Sequence, residues 1–343
     1  MSTGFCRSLL TVLLVTGVGT AAKAQEPPPP PEPGYEVEGR PDFVLHYEPE
    51  ASIAWALFEP DGMPPGLQRR LLSRSPSMGA ATQITYVPDG WSRPVGYHSV
   101  DVEVFVLEGD LVIEDEGGPR VLERFSYAYL PAGMAHGPMR STQGAVIMQW
   151  FKGEPDFVPS TEHRQGARLH AAVPAMNHFD QPWYIGDPFP AYRVGGNFPG
   201  AVHKLLRQDP DTGENTWLTF SATLPAVSRG VGNFGGGYEV HPSFEEYFFL
   251  EKSNDSVIGE CLEKGLSQVR FNDRSYWWRP GGIGHGGATS HGDGQPGHAV
   301  ALVRTGTRLW ADYFTDCTYE TQIEFTGNGF RTLDAPGKGA DAN

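Results

Sequence analysis

Tyr238-Glu239-Val240-His241-Pro242-Ser243-Phe244-Glu245-Glu246 puts imidazole and carboxylate groups into one short stretch that runs on into an aromatic segment. Side chains along a strand alternate faces, so Glu239 and His241 point the same way, and Glu245 rejoins them if the register holds. About 40 residues later, Pro280-x-Gly282-x-x-His285 is a turn that delivers another imidazole from a separate strand. Two imidazoles and one or two carboxylates suit Zn, Fe, Mn, Ni or Cu rather than Ca or Mg, which take mostly oxygen ligands. The expected cofactor is one divalent transition metal. A hydrogen-bonded core role for His241 and His285, and an exposed acidic pair at Glu245-Glu246, are the plainer alternatives.

The elements that must hold these groups repeat. Arg70-Leu71-Leu72-Ser73, followed by Pro76, Gly79, Thr82, Ile84 and Thr85, recurs 134 residues later as Lys204-Leu205-Leu206-Arg207, followed by Pro210, Gly213, Thr216, Leu218 and Thr219. His98 with Val104-Phe105-Val106-Leu107-Glu108 recurs 143 residues later as His241 with Tyr247-Phe248-Phe249-Leu250-Glu251. Pro131-Ala132-Gly133-Met134-Ala135-His136 recurs 149 residues later as Pro280-Gly281-Gly282-Ile283-Gly284-His285. Three blocks in the same order, with offsets that only grow, indicate a tandem duplication with loop insertions. The runs Val102 to Val106 and Tyr247 to Glu251 are β-branched or aromatic and bounded by turn formers, so each copy is expected to be all-β.

Among 343 residues, 26 Lys and Arg stand against 41 Asp and Glu, a net charge of -15 that opposes binding to nucleic acid or an anionic membrane. The 43 Gly and 30 Pro point to many short strands joined by turns rather than a helical bundle. Arg7, the apolar run Leu9 to Gly17 and Ala22-Lys23-Ala24 fit a cleaved export signal over residues 1–24. The apolar run is too short to span a bilayer, and no later segment is long enough, so no membrane span is expected. Export predicts a periplasmic or secreted protein, in which Cys261 and Cys317 either pair or remain buried thiols. The expected organisation is a Pro-rich spacer over 25–44, a first copy over 45–160, a linker with leading strands over 161–199, a second copy over 200–325 and a tail over 326–343.

Combined, Pro-x-Gly-x-x-His, His-x3-Glu-Glu and the duplication resemble the cupin superfamily. The expected fold is all-β, two tandem cupin (double-stranded β-helix, jelly-roll) barrels covering about residues 45–315. Within the superfamily the second copy is most similar to anti-sigma-factor-type and acetylacetone-dioxygenase-like cupins, through Pro182-Trp183, Leu205 to Glu214, His241 to Glu251 and Pro280 to His285. The resemblance implies that His241, Glu245 and His285 hold the metal. Glu239 stands where the family has its first His, and is either a fourth ligand or a general base. In the first copy the resemblance lands on His98 and His136, with Gly96 at the first-His position and Val102 where the carboxylate should be. Glu103 is one residue off, and alternation aims it at the opposite face unless a bulge re-registers the strand. That makes His98, Glu103 and His136 a weak second site at most, in a copy expected to be structural or substrate-shaping.

Tyr238, Phe248 and Trp278 are candidates to line the second pocket, against a default role in packing. His291 and His298 read as loop surface. What the resemblance implies for function is a metal-dependent oxidoreductase, dioxygenase-like, acting on a small oxygenated or aromatic compound. The alternatives are a cupin lyase, isomerase or decarboxylase, or a non-catalytic periplasmic cupin that binds or senses a metal or small molecule. Two barrels with open edges also allow a homodimer.

Overall fold

A computed structural model describes residues 45–115, 118–185, 201–223, 238–240, 243–252, 256–262, 265–271, 273–286, 297–306 and 312–314. The expected export signal, spacer and tail lie outside them, as do His241, His291 and Cys317 and the side chains of Tyr238, Glu239, Cys261 and His298. Among the described residues no helix is long and apolar enough to cross a membrane.

The architecture is the expected pair of all-β jelly-roll units. Each copy contributes one seven-stranded antiparallel sheet, and the two sheets have the same strand order. In the first copy the order is Val173–Asn177, Ser126–Leu130, Val102–Gly109, Ala145–Phe151, Ala81–Val87, Gln68–Arg74 and Ala56–Leu57. In the second it is Leu45–Tyr47, Tyr276–Arg279, Glu245–Lys252, Gly297–Thr305, Asn215–Thr223, Ala201–Gln208 and Tyr184–Ile185. The end strands are exchanged. Leu45–Tyr47 precedes the first copy but pairs with Tyr276–Arg279 of the second, whereas Val173–Asn177 precedes the second and pairs with Ser126–Leu130 of the first. The sequence-based boundaries place Leu45–Tyr47 at the start of the first copy and Val173–Asn177 in the linker with its leading strands.

Smaller sheets close each unit. In the first copy they are a four-stranded sheet containing Leu111–Asp115 and Met139–Arg140 and a two-stranded ribbon; in the second, a five-stranded sheet containing Tyr238–Val240 and His285–Gly286. The large sheets are buried on both faces, and alternation sorts their side chains. Along Val102–Gly109, Val102, Val104 and Val106 fill the interior of the first copy with Leu111, Ile113 and Ile147. Phe105 and Leu107 enter a second core shared by both copies, with Tyr127, Trp150, Phe248, Tyr276, Trp278 and Leu302.

At the centre of that shared core lie two ionisable groups. Glu103, 1% exposed, accepts from Tyr127 of its own copy at 2.6 Å and from Thr216 of the other. Glu246, also 1% exposed, accepts from Tyr276 of its own copy at 3.0 Å and from Thr82 of the other at 2.6 Å. These pairs stand in the repeat relation: 103 to 246 is 143, 127 to 276 is 149 and 82 to 216 is 134. Among the described residues, the cations that meet them come from the second copy. Arg304 Nε lies 2.9 Å and Arg207 Nη1 3.3 Å from Glu103 Oε1, and Arg304 Nη1 lies 3.6 Å from Glu246 Oε2. Burial would raise the Glu103 carboxyl, but Arg304, Arg207 and the two hydroxyls outweigh it and hold it below the ordinary range.

Glu103→Ala removes from the shared core the carboxylate that Arg304 Nε meets at 2.9 Å, together with one of the carboxylates around Arg207. It is expected to cost about 3–5 kcal/mol of unfolding free energy, as for other broken buried pairs. Glu154→Ala, which breaks the exposed pair with Arg74 at 2.5 Å, should cost under about 1 kcal/mol. Urea titrations followed by tryptophan fluorescence check both; comparable losses would mean that Glu103 does not hold the copies together.

Candidate metal centre and its first-copy counterpart

In the second copy the interior is approached from both sheets. Glu245 opens the strand Glu245–Lys252 of the large sheet, directly opposite Arg279. His285 sits on the small sheet, where its Cα partners are Glu239 on one side and Glu260 on the other. Glu245 and His285 are each 3% exposed, and Glu245 Oε2 lies 3.3 Å from His285 Nε2. The turn fixes the imidazole itself: Nδ1 donates to the carbonyl of Ile283 at 2.9 Å. A ring nitrogen tied to a backbone carbonyl leaves Nε2 as the ligand atom, the usual arrangement behind a metal-bound histidine.

Arg279 was missed in the sequence, although it directly precedes the Pro-x-Gly turn. Its Nη1 donates to Glu245 Oε2 at 2.9 Å, and its guanidinium lies 3.6 Å over the Trp277 ring. Trp277 also meets the His285 ring edge-on at 5.9 Å and stacks on His46 at 6.0 Å. Of the two adjacent tryptophans, therefore, Trp277 flanks the centre. Trp278 and Phe248, for which packing is the default expectation and pocket lining the alternative, face the shared core, because Trp278 lies opposite Glu246 and Phe248 is two residues further along that face. Burial, followed by the charge of Arg279, lowers His46 to about 3. Glu239 is placed by register beside His285, and His241 lies outside the described residues.

The first copy repeats the turn but not the ligands. His136 Nδ1 donates to the carbonyl of Met134 at 2.8 Å, the counterpart of the Ile283 bond, and Gly96 bridges His136 as Glu239 pairs with His285. His98 Nδ1 donates to the carbonyl of Asp156, and the two rings stack at 5.6 Å. Gly96 has no room for a ligand, since a Cβ there would meet the Phe157 ring at 2.3 Å. Val102 fills the carboxylate position with an apolar side chain in the interior core. Glu103 is not part of this site: the pairing of Val102–Phe105 runs without a bulge, so alternation turns Glu103 into the shared core. Among the described residues no group of three His, Cys, Asp or Glu could hold a metal ion.

Burial, with Arg93 beside them, lowers His98 to about 4 and puts His136 well below its ordinary value. Groups depressed in this way stabilise the fold fully above their unfolded pKa, about 6.5, and the contribution is lost as pH falls toward 4. Unfolding free energy measured in urea should therefore be flat between pH 7.5 and about 6.5 and then decline, down to pH 4.5, by up to about 1.4 kcal/mol per pH unit for each such histidine. His98→Gln should flatten the decline by about one proton; an unchanged slope would show that His98 already protonates freely.

Residues 48–240 match a family described as a domain of unknown function, DUF4437. No curated protein matches the chain. Among solved structures, a candidate dioxygenase from Nostoc punctiforme PCC 73102 is 22% identical, with 78% of this chain and 84% of that one covered and a TM-score of 0.60. An oxalate decarboxylase studied for its substrate binding mode is 12% identical, with 78% of each chain covered and a TM-score of 0.50. At these identities the likeness is one of fold alone, the tandem cupin-type jelly roll expected from the sequence.

Proposed function

The chain belongs to the DUF4437 family, and from that premise we propose that it is a metal-dependent cupin oxidoreductase of the dioxygenase type. In this reading it is exported to the periplasm or beyond and acts on a small oxygenated or aromatic compound in the second copy. His241, Glu245 and His285 hold one divalent transition metal, and Glu239, opposite His285 in the small sheet, is the fourth ligand or the general base.

One observation carries the reading. With Nδ1 of His285 donating to Ile283, the neutral ring presents a lone pair at Nε2, and Glu245 Oε2 faces it at 3.3 Å. Two acceptors that close need a cation or a proton between or beside them, so the donor set fits a metal. A bound metal would supply an open coordination position at which O2 or a substrate oxygen is polarised. The chain's own residues do the positioning. Arg279 orients the Glu245 carboxylate, the Ile283 carbonyl orients His285, and Trp277 packs against both Arg279 and His285, excluding water from that side. The Arg279 pair also favours a second reading, in which a guanidinium supplies the charge Glu245 needs and the copy is a metal-free small-molecule binder.

Elemental analysis of the purified full chain beside His285→Ala separates the two. The proposal expects about one equivalent of a transition metal per chain, reduced about tenfold or more in the variant, since loss of even a residue that only supports a metal ligand weakens binding by that much. It also expects O2 uptake with some member of a panel of small phenols and carbonyl compounds. Wild-type protein without metal supports the binding reading instead, and metal retained in full by His285→Ala overturns the proposed site.

A further inference from the structure

The interior of the first copy contains a cavity of about 30 Å3, more than the roughly 10–15 Å3 a single water needs. Its walls are mostly apolar, with Phe58, Trp91 and Val104 among them, but Thr85, Arg93, His98 and Gln149 also line it. Arg93 differs from the other buried arginines. Arg207, Arg279 and Arg304 each lie against a carboxylate. Arg93, 3% exposed, lies over the Phe157 ring at 4.4 Å and gives Nη1 to the Pro94 carbonyl at 3.3 Å, while Nη2 has no partner. Among the described residues no carboxylate pairs with it, and burial alone pulls its pKa to about 9.

The other polar groups complete a recognition surface. Gln149 Oε1 accepts from Thr85 at 2.6 Å, and the Thr85 oxygen in turn accepts from Gln83 at 2.8 Å, so the Gln149 amide NH2 remains a donor for the cavity. His98, tied through Nδ1 to Asp156, presents an acceptor at Nε2, and behind it His136 Nε2 is buried without a partner. The wall thus offers an uncompensated positive charge, two sets of N–H donors and an imidazole lone pair. A buried charge without a counter-ion is costly, and a metal cation beside Arg93 would add to the cost rather than relieve it.

We propose that the first copy is a receptor for a compact monovalent oxyanion that retains a hydroxyl hydrogen, of the size of bicarbonate or the head group of a 2-hydroxycarboxylate. Its anionic oxygens accept from Arg93 Nη2 and the Gln149 amide, and its hydroxyl donates to His98. The site is separate from the metal centre of the second copy and stands whether or not that centre is filled.

The test is the thermal unfolding midpoint of the full chain, dialysed at pH 8 and titrated at constant ionic strength with bicarbonate, glycolate, acetate or chloride. Bicarbonate or glycolate is expected to raise the midpoint by several degrees and saturably, at concentrations at least tenfold lower than acetate or chloride. Which of the two acts at lower concentration identifies the source of the oxyanion. Arg93→Met should abolish the response while melting, without anion, at or above the wild-type temperature, because the uncompensated charge is gone. Gln149→Leu should weaken the response several-fold, and serves alone if Arg93→Met does not fold. No saturable rise, an equal rise with chloride, or a response that survives in these variants would overturn the proposal. So would a metal equivalent that persists in His285→Ala and is lost in His136→Ala.

Discussion

The arrangement of this protein turns on the burial of Glu103 between its two halves. An ionised carboxylate is tolerated in such a place only when its lone pairs are all met, and the partners come from both copies: Tyr127 from its own, Thr216, Arg207 and Arg304 from the other. Thr82 and Tyr276 do the same for Glu246. Apolar packing would let the two large sheets slide over one another at small cost. Directional bonds to two fixed carboxylates set one register between them, as buried polar groups do in other assemblies.

The same carboxylate also determines what the first copy can hold. A strand has two faces, and committing residue 103 to the shared core commits residue 102 to the interior. Val102 therefore fills the slot in which the second copy keeps Glu245, and Phe157 closes the space beside Gly96. The copies have diverged by exchanging charge. Arg207 replaces Ser73 of the repeat on the shared face, so the interface is symmetric in its carboxylates and hydroxyls but not in its cations. In the interiors, the second copy has an arginine matched to a glutamate, while among the described residues the first has an arginine with none.

The repeat, the all-β character and the imidazole-bearing turns were legible in the sequence because each depends on local chemistry: turn formers, β-branched runs and fixed spacing. The offsets read from three blocks hold for the buried Glu, Tyr and Thr pairs, although no spacing rule reveals that those residues meet. What stayed hidden depends on contacts between distant segments. Strands buried on both faces lose the polar alternation that would tell Phe248 and Trp278 from Tyr247 and Trp277. Arg279 has no motif of its own and acquires a role only when Glu245 is brought opposite it. Leu45–Tyr47 and Val173–Asn177 are too short to announce which sheet they join.

Those two short strands have a consequence for how the chain can be built. Leu45–Tyr47 is made before the other described strands and lacks its pairing strand until Tyr276–Arg279 has been made, over two hundred residues later. The first copy, conversely, lacks the end strand of its large sheet until synthesis has passed Val173–Asn177. A cut at the midpoint of the chain would strip each half of a strand that lies in the other, or just beyond it, in sequence. The duplicated gene segment and the finished structural unit are therefore not the same stretch of polypeptide, and neither jelly-roll unit is a portable module as its repeat is drawn.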